Sequence, residues 1–457
     1  MRDMKVAALI PATGSPGTLA TTAFTCAVAE GFAANGVPAR VVGLTAEPSE
    51  WRPNALGECP SSAPWLPPAH LGPSDAFEAK SRGVFNTSSC DAEIRVNRWK
   101  RELLLERELE SAAGSDPDMI LYADTRSLEV LRIVLRIAQR RAWRVVMLSN
   151  EALLDRLIEP STRDAYISLV ACCVSGIWCV SEHLAEFWRS KGVAPERLLL
   201  APLITQHANF HMVYPPPREN SAVYLGNLAH GEIVQLLTIA KEVAQRLPGF
   251  SLRVYGDSSE AVRVNLLERI ARDGLEGIVR VEPSVVPAEV PDILATADIL
   301  LLPRSGGEFS DAGFPNKLGE YLASGRPVVV TAVGDIPTYL VDGVHARVVA
   351  PDRLADFAQA VVELLRSPEA ADAMGSAGHQ RAMELFSSAV VAERLVAFIE
   401  SLPTALPCSG ATPAGGTHLW RSLLTPDGEV VRRDLRRIRR RLGLMPSIPA
   451  PTESAGS

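Results

Sequence analysis

The residues best suited to chemistry lie in one stretch of the chain, residues 310–330. This stretch follows a short apolar run, Ile299–Leu302, which predicts a buried strand. Ligands of open α/β sheets bind beyond the carboxyl ends of the strands, so the stretch is placed to contact a ligand. Pro315 suits the first position of a helix and Gly325 suits its exit, which predicts a helix between them.

The start of this helix combines groups suited to a phosphate and to a sugar hydroxyl. Backbone N–H groups around Gly313 and Phe314 would point outward at a helix N-terminus, which favours an anion. Lys317 lies in the first turn, where a cation opposes the helix dipole unless a phosphate lies nearby. Glu320 can accept hydrogen bonds from both hydroxyls of a ribose. The predicted binding residues are Gly313, Phe314, Pro315, Lys317, Leu318 and Glu320.

Spacing alone leaves a second interpretation open for Lys317 and Glu320. Residues three apart on a helix often form a solvent-exposed ion pair that contributes little to stability.

This stretch resembles the donor-binding signature of the retaining, GT-B-fold glycosyltransferases of family four. There a Glu-Gly-Phe-Gly loop leads into a helix bearing a second Glu, with seven residues between the two acids. Gly313 and Phe314 match the Gly-Phe, Pro315 takes the place of the second Gly, and Glu320 matches the second Glu. Ala312 replaces the first Glu, which departs from the pattern.

Other pieces resemble the same family in order and spacing, over roughly residues 4–386. Gly256 and Asp257 end a segment similar to the family's strand with a terminal Gly-Asp. The family usually has an Arg and a Lys after the first strand of the donor domain, whereas this chain has Asn227 and His230. We expect Asn227 and His230 to donate hydrogen bonds to a diphosphate, although they carry less positive charge than an Arg and a Lys. Lys317 or Arg304 would then supply more of the positive charge that binds the diphosphate. A loop histidine without function is the other interpretation of His230.

The first half of the chain offers weaker candidates. A loop with Gly14 and Gly17 follows the first predicted strand, and it is either a tight turn or, as the resemblance implies, the glycine loop between acceptor and donor phosphate. Asn150 and Glu151 follow a middle strand, where a carboxylate could orient or deprotonate an acceptor hydroxyl. Helix capping by the same two residues is the alternative. The predicted catalytic residues are Glu151, Asn150 and Lys317.

Short β-branched runs alternate with amphipathic stretches throughout, which predicts an α/β protein with two Rossmann-like doubly wound domains. The resemblance implies the GT-B arrangement, with the two domains facing a cleft. We expect an acceptor domain over 1–205, a donor domain over 206–385, a terminal helix over 386–402 and a low-complexity tail over 403–457. Residues 431–445 of the tail include seven arginines around an apolar stripe. That pattern favours an anionic membrane surface, an acidic face of the protein or a solvated tail.

Composition narrows the class of protein. The 457 residues carry a formal charge of −7, which disfavours nucleic acid as a partner. The seven cysteines form no CxxC pair and no metal-ligand cluster, so we expect buried thiols, no metal and a cytoplasmic location, with membrane association through the basic helix as an extension.

The expected function is sugar transfer from a UDP- or GDP-sugar to an acceptor hydroxyl of a saccharide or lipid-linked acceptor. The resemblance implies retention at the anomeric carbon without a metal or other cofactor, in cell-surface polysaccharide or glycoconjugate synthesis. An epimerase or hydrolase of nucleotide sugars, and an inactive nucleotide-sugar-binding protein, are the alternatives.

Overall fold

Two separate six-stranded parallel sheets organise the protein. The structure, a computed structural model, describes residues 7–10, 27–28, 30–37, 39–41, 44–45, 69–70, 119–122, 128–151, 160–205, 210, 219–228, 231–256, 258–285 and 289–403. The predicted α/β class is confirmed.

The first sheet has the strand order β2-β1-β5-β6-β7-β8. Its strands are β1 (Ala7–Ile10), β2 (Ala39–Val41), β5 (Met119–Tyr122), β6 (Arg144–Ser149), β7 (Gly176–Cys179) and β8 (Leu198–Leu200). Two further short strands, β3 (Leu44–Thr45) and β4 (Ala69–His70), pair with each other in parallel. Helices α1 (Leu128–Arg141), α2 (Pro160–Cys173) and α3 (Glu182–Ser190) belong to this half. Residues 30–34 are also helical, and Gly36 follows them with φ 71°, the left-handed conformation that commonly ends a helix.

The second sheet has the order β11-β10-β9-β12-β13-β14, which is the 3-2-1-4-5-6 order of a Rossmann fold. Its strands are β9 (Ser221–Leu225), β10 (Ser251–Tyr255), β11 (Val279–Val281), β12 (Ile299–Leu302), β13 (Val328–Thr331) and β14 (Arg347–Val349). The order reverses between β9 and β12, where Leu300 is in register with Val223. Loops that leave these two strands therefore flank the crevice in which such sheets bind ligands.

The helices that follow the first half cover this second sheet, except for the last one, which packs against the first half, where a Cβ built on Gly31 would overlap the Ser388 carbonyl. They are α4 (Glu232–Arg246), α5 (Glu260–Arg272), α6 (Val290–Ala295), α7 (Glu308–Ala312), α8 (Asn316–Ala323), α9 (Ile336–Tyr339), α10 (Leu354–Arg366), α11 (Pro368–Leu385) and α12 (Ser388–Ser401). Strands β12 and β13 are buried at every position, as apolar strands of a parallel sheet covered on both faces should be.

Several predictions fall outside the described residues. These include the glycine loop with Gly14 and Gly17, His230, Asp257 and the basic segment 431–445. The domain boundaries remain predictions. Among the described helices, none is long and apolar enough to cross a membrane.

One expectation about the cysteines is wrong. Cys179 is a buried thiol, as expected, but Cys173 takes part in a disulfide bond. Sequence spacing gave no sign of this bond, because a disulfide depends on how closely two distant segments approach in space.

Candidate functional site

Helix α8 begins just beyond the reversal point of the second sheet. Strand β12 ends at Leu302, the short helix α7 follows, and an extended segment leads into α8. Pro315 has φ −74° and ψ 116°, so it is the N-cap and not the first helical residue that we predicted. The extended ψ explains the difference, because it turns the chain into the helix one residue later.

Glu320 is a partly accessible acid in a dense protein environment. Burial raises the pKa of its carboxyl to about 7, and the neighbouring Lys317 opposes that rise. No described residue donates a hydrogen bond to this carboxylate. Because the acid is neither sealed in the core nor held by the protein, it is available to a ligand with hydroxyl groups.

Lys317 does not form the exposed surface pair that was one interpretation of the sequence. Its Nζ lies 3.3 Å from Oε2 of Glu232 and 3.1 Å from the Tyr224 hydroxyl, which accepts its hydrogen bond. The ammonium also lies 4.8 Å from the centre of the Tyr224 ring. Arg304 joins the same carboxylate, with Nε 3.6 Å from Oε1 of Glu232. We call Tyr224, Glu232, Arg304 and Lys317 the charged cluster.

The charged cluster has one more positive than negative charge. Burial lowers the pKa of Lys317 and of Arg304, although both face Glu232, which favours their charged forms. Burial by itself would raise the pKa of Glu232, but Lys317, the Tyr224 hydrogen bond and Arg304 together hold it below its usual value. Burial raises the pKa of Tyr224, which therefore stays neutral and donates to Glu232.

Two glycines allow the backbone to approach this cluster closely. A Cβ added to Gly226 would overlap Nζ of Lys317 and come within 2.5 Å of the Tyr224 hydroxyl. A Cβ added to Gly256 would overlap the backbone carbonyl oxygen of Gly226. The loop after β9 therefore lies directly against Lys317 because neither glycine has a side chain. Asn227, next in this loop, is exposed.

The extended segment before α8 differs from the expected anion site in two respects. The N–H of Gly313 donates to the Phe309 carbonyl at 3.3 Å, so it does not point freely outward. The Phe314 side chain is buried, with ring centroids 5.4 Å from Tyr339 and 5.4 Å from Phe386. Leu318 has no group to offer a ligand, because its side chain is buried and its N–H donates to Pro315.

The first half of the chain contacts this same segment. A Cβ built on Gly313 would lie 3.7 Å from the backbone carbonyl oxygen of Asn150. Ser181 donates a buried hydrogen bond of 2.6 Å to the Ala312 carbonyl. The structure thus brings the end of β6, with partly exposed Asn150 and Glu151, close to the segment that precedes Glu320.

Sequence reasoning identified Lys317, Glu320 and Arg304 but missed Glu232 and Tyr224. An acid at the first position of a helix is favourable to the helix dipole anywhere, so Glu232 gave no distinctive signal. Tyr224 follows the period of a buried strand and is indistinguishable from a core residue in the sequence.

Comparisons with known proteins agree with this geometry. Residues 219–367 match the model of a family described as glycosyl transferases group 1, and that segment includes the charged cluster and Glu320. A curated relative, the MMP alpha-(1->4)-mannosyltransferase of Mycolicibacterium hassiacum, is 32% identical over 132 residues. The match covers 29% of this chain and 31% of that protein, so the chain matches about a third of its relative's length.

Solved structures match over a larger part of the chain. Sucrose-phosphate synthase from Thermosynechococcus elongatus has a TM-score of 0.64 at 15% identity, covering 87% of this chain and 98% of that one. TarM of S. aureus, solved as a variant with fondaparinux, alpha-GlcNAc-glycerol and UDP, has a TM-score of 0.62 at 12% identity, covering 87% and 100%. These likenesses show that the chain has the GT-B fold, as the sequence resemblance implied.

Proposed function

We propose that this protein transfers a sugar from a nucleoside-diphosphate sugar to an acceptor hydroxyl. The observation that supports this most directly is Glu320, an accessible carboxylate without a hydrogen bond from any described residue, at the crevice of a Rossmann-order sheet. In the proposal it accepts hydrogen bonds from the two ribose hydroxyls of a UDP- or GDP-sugar. Lys317 and Arg304 are near enough to one another to hold the diphosphate, since both contact Glu232.

The proposed chemistry is electrostatic stabilisation of a leaving diphosphate. As the bond to the sugar breaks, negative charge grows on the diphosphate, and the largely buried cations Lys317 and Arg304 stabilise that charge. Because these side chains supply the positive charge, we propose a reaction that needs no metal ion. Asn150, whose backbone carbonyl lies near Gly313, and Glu151 after it would orient the acceptor hydroxyl, and the sugar would retain its anomeric configuration.

We also propose the chemical class of the acceptor. The acceptor is a saccharide or a lipid-linked saccharide for cell-surface polysaccharide or glycoconjugate synthesis, in the cytoplasm. Peripheral membrane contact through residues 431–445 belongs to the same proposal. Comparing binding of the full chain and a chain ending at residue 427 to anionic vesicles tests that contact, and equal binding would contradict it.

Donor binding is tested by pairing a protein variant with a ligand variant. Titration calorimetry with UDP, GDP and their 2′-deoxy forms should show that the wild type prefers the ribose form. Glu320→Gln should weaken ribonucleotide binding by at least about tenfold, because each charge-assisted hydrogen bond contributes about 1.5–3 kcal/mol. The same variant should lose most of the preference over the deoxy form.

Glu268→Gln is the matched control, since Glu268 lies on the exposed face of a helix in the same half of the chain. It should bind like the wild type. If Glu320→Gln keeps both the affinity and the ribose preference, the proposed donor site is wrong.

One observation favours a catalytically inactive nucleotide-sugar-binding protein as the second candidate. Ala312 is fully buried at the position where the resembling family has an acid, so no side-chain charge is present there. Product analysis separates the candidates: a transferase forms a glycoside only with acceptor, an epimerase or hydrolase changes the donor without it, and a binding protein does neither. The anomeric configuration of the product, measured by NMR, tests retention.

A further inference from the structure

Lys317 and Arg304 share a single carboxylate, that of Glu232. Lys317 Nζ is 3.3 Å from one oxygen of Glu232, and Arg304 Nε is 3.6 Å from the other. The three side chains are 24%, 10% and 14% exposed for Lys317, Arg304 and Glu232, so solvent screens their interactions only weakly. Glu232 therefore offsets one of the two positive charges with which, in the proposed function, the protein binds the diphosphate.

The hydrogen bonding of the cluster is incomplete. Nε of Arg304 is buried and has no hydrogen-bond partner. Its distance from Glu232 is that of an ion pair without a hydrogen bond. A guanidinium presents five N–H donors in a planar fork that matches a phosphate, so this side chain retains donors for an incoming anion. Glu232 supplies charge to Arg304 without satisfying its donors.

The position of Glu232 is fixed by the fold. It is the first residue of α4, immediately beyond the loop that leaves β9 at the reversal point of the sheet. The Tyr224 hydroxyl donates to its Oε2, and that hydroxyl accepts from Lys317. The carboxylate thus lies between the two cations and contacts one with each oxygen.

Building on the proposed function, we propose that Glu232 is an internal competitor of the donor diphosphate. It pairs with Lys317 and Arg304 when the site is empty, and the diphosphate must separate it from them in order to bind. A carboxylate near a bound diphosphate is also a like charge, so Glu232 weakens binding of the nucleoside-diphosphate product and favours its release. Glu232 is therefore a residue that sets affinity for the phosphates without contacting the nucleoside.

The test measures binding of UDP and GDP, and of the matching nucleoside, to the full chain. Glu232→Gln should bind the preferred nucleoside diphosphate about tenfold more tightly than the wild type, because the competing charge is gone. Affinity for the nucleoside, which has no phosphate, should not change. Glu260→Gln is the matched control, since Glu260 is also the first residue of a helix but is exposed.

A second variant keeps the test decisive if Glu232→Gln folds poorly. Glu232→Asp preserves the negative charge, but its side chain is one methylene shorter, so the carboxylate lies farther from Lys317 and Arg304. This variant should bind the diphosphate about twofold to threefold more tightly than the wild type. Equal or weaker diphosphate binding by the folded variants, with nucleoside binding intact, would overturn the proposal and show that Glu232 merely orients Lys317. A wild type that binds neither UDP nor GDP would instead refute the proposed function.

Discussion

Glu320 should destabilise the ligand-free protein above neutral pH. Replacing it with glutamine should therefore raise the free energy of unfolding in that pH range. The pKa of its carboxyl rises from 4.5 to about 7 on folding, because burial disfavours the charged form. Each pKa unit corresponds to about 1.36 kcal/mol, so the 2.5-unit difference corresponds to about 3 kcal/mol. The folded form holds its proton more tightly, so this penalty is small below pH 4.5, grows through the window from 4.5 to 7 and is complete above pH 7.

The expected gain is smaller than the full penalty for two reasons. Glu320 is partly accessible, so water screens its charge, and glutamine also loses the attraction to Lys317. We therefore expect Glu320→Gln to stabilise the ligand-free protein by about 1–2 kcal/mol at pH 8. This corresponds to an increase in Tm of roughly 2–8 °C for a domain of this size.

Thermal unfolding of the wild type and Glu320→Gln, measured without nucleotide at pH 5, 6, 7 and 8, checks this reasoning. The difference in Tm should be greatest at pH 8 and shrink as the pH falls towards 5. Glu268→Gln, on an exposed helix face, should show no such dependence. A Glu320→Gln protein that is less stable than the wild type at pH 8, or a difference that is constant with pH, would refute the argument. Together with its expected loss of donor affinity, the variant would show an acid kept for binding at a cost in stability.

Two further substitutions test the packing around the site. Gly256→Ala should destabilise the protein by about 1–3 kcal/mol in urea unfolding, because the added Cβ would overlap the backbone of Gly226. Gly277→Ala is the control and should have no such effect, because a Cβ there would meet nothing within 4 Å. Equal effects of the two substitutions would contradict the close approach of Gly256 and Gly226. Ser181→Ala should destabilise by about 1–3 kcal/mol, because it removes the hydrogen bond to Ala312 and the cap on the Leu184 N–H, and Ser181→Thr should recover part of the loss. Identical unfolding of Ser181→Ala and the wild type would show that the contact is unimportant.

The sheets were largely predictable from the sequence, and one long helix was not. Strands such as β12 are short apolar runs, which burial on both faces of a parallel sheet requires. Helix α11 has no counterpart among the predicted elements, because Gly375 and Gly378 weaken its helical pattern. The structure explains both glycines: their missing side chains make room for the backbone carbonyls of Gly325 and His345.

The same division holds for the candidate site. Lys317 and Glu320 lie on one helix whose spacing and flanking residues predict a ligand site. The pairing of Lys317 with Glu232 joins residues 85 positions apart, and no local pattern encodes it. Because the burial of both partners arises only when β9 and β12 become neighbours, their altered pKa values could not be predicted from the sequence.

The start of helix α3 links the two halves of the molecule. The Glu182 N–H at that start donates to the Asp335 carboxylate of the other half at 2.7 Å, beside the bond from Ser181 to Ala312. Separating the two halves would remove the hydrogen-bond acceptor of the Glu182 N–H at the start of α3. It would also break the bond from Ser181 to Ala312, which immediately precedes Gly313. Any movement that separated the two halves would therefore fray the start of α3 and loosen the segment before Gly313 together.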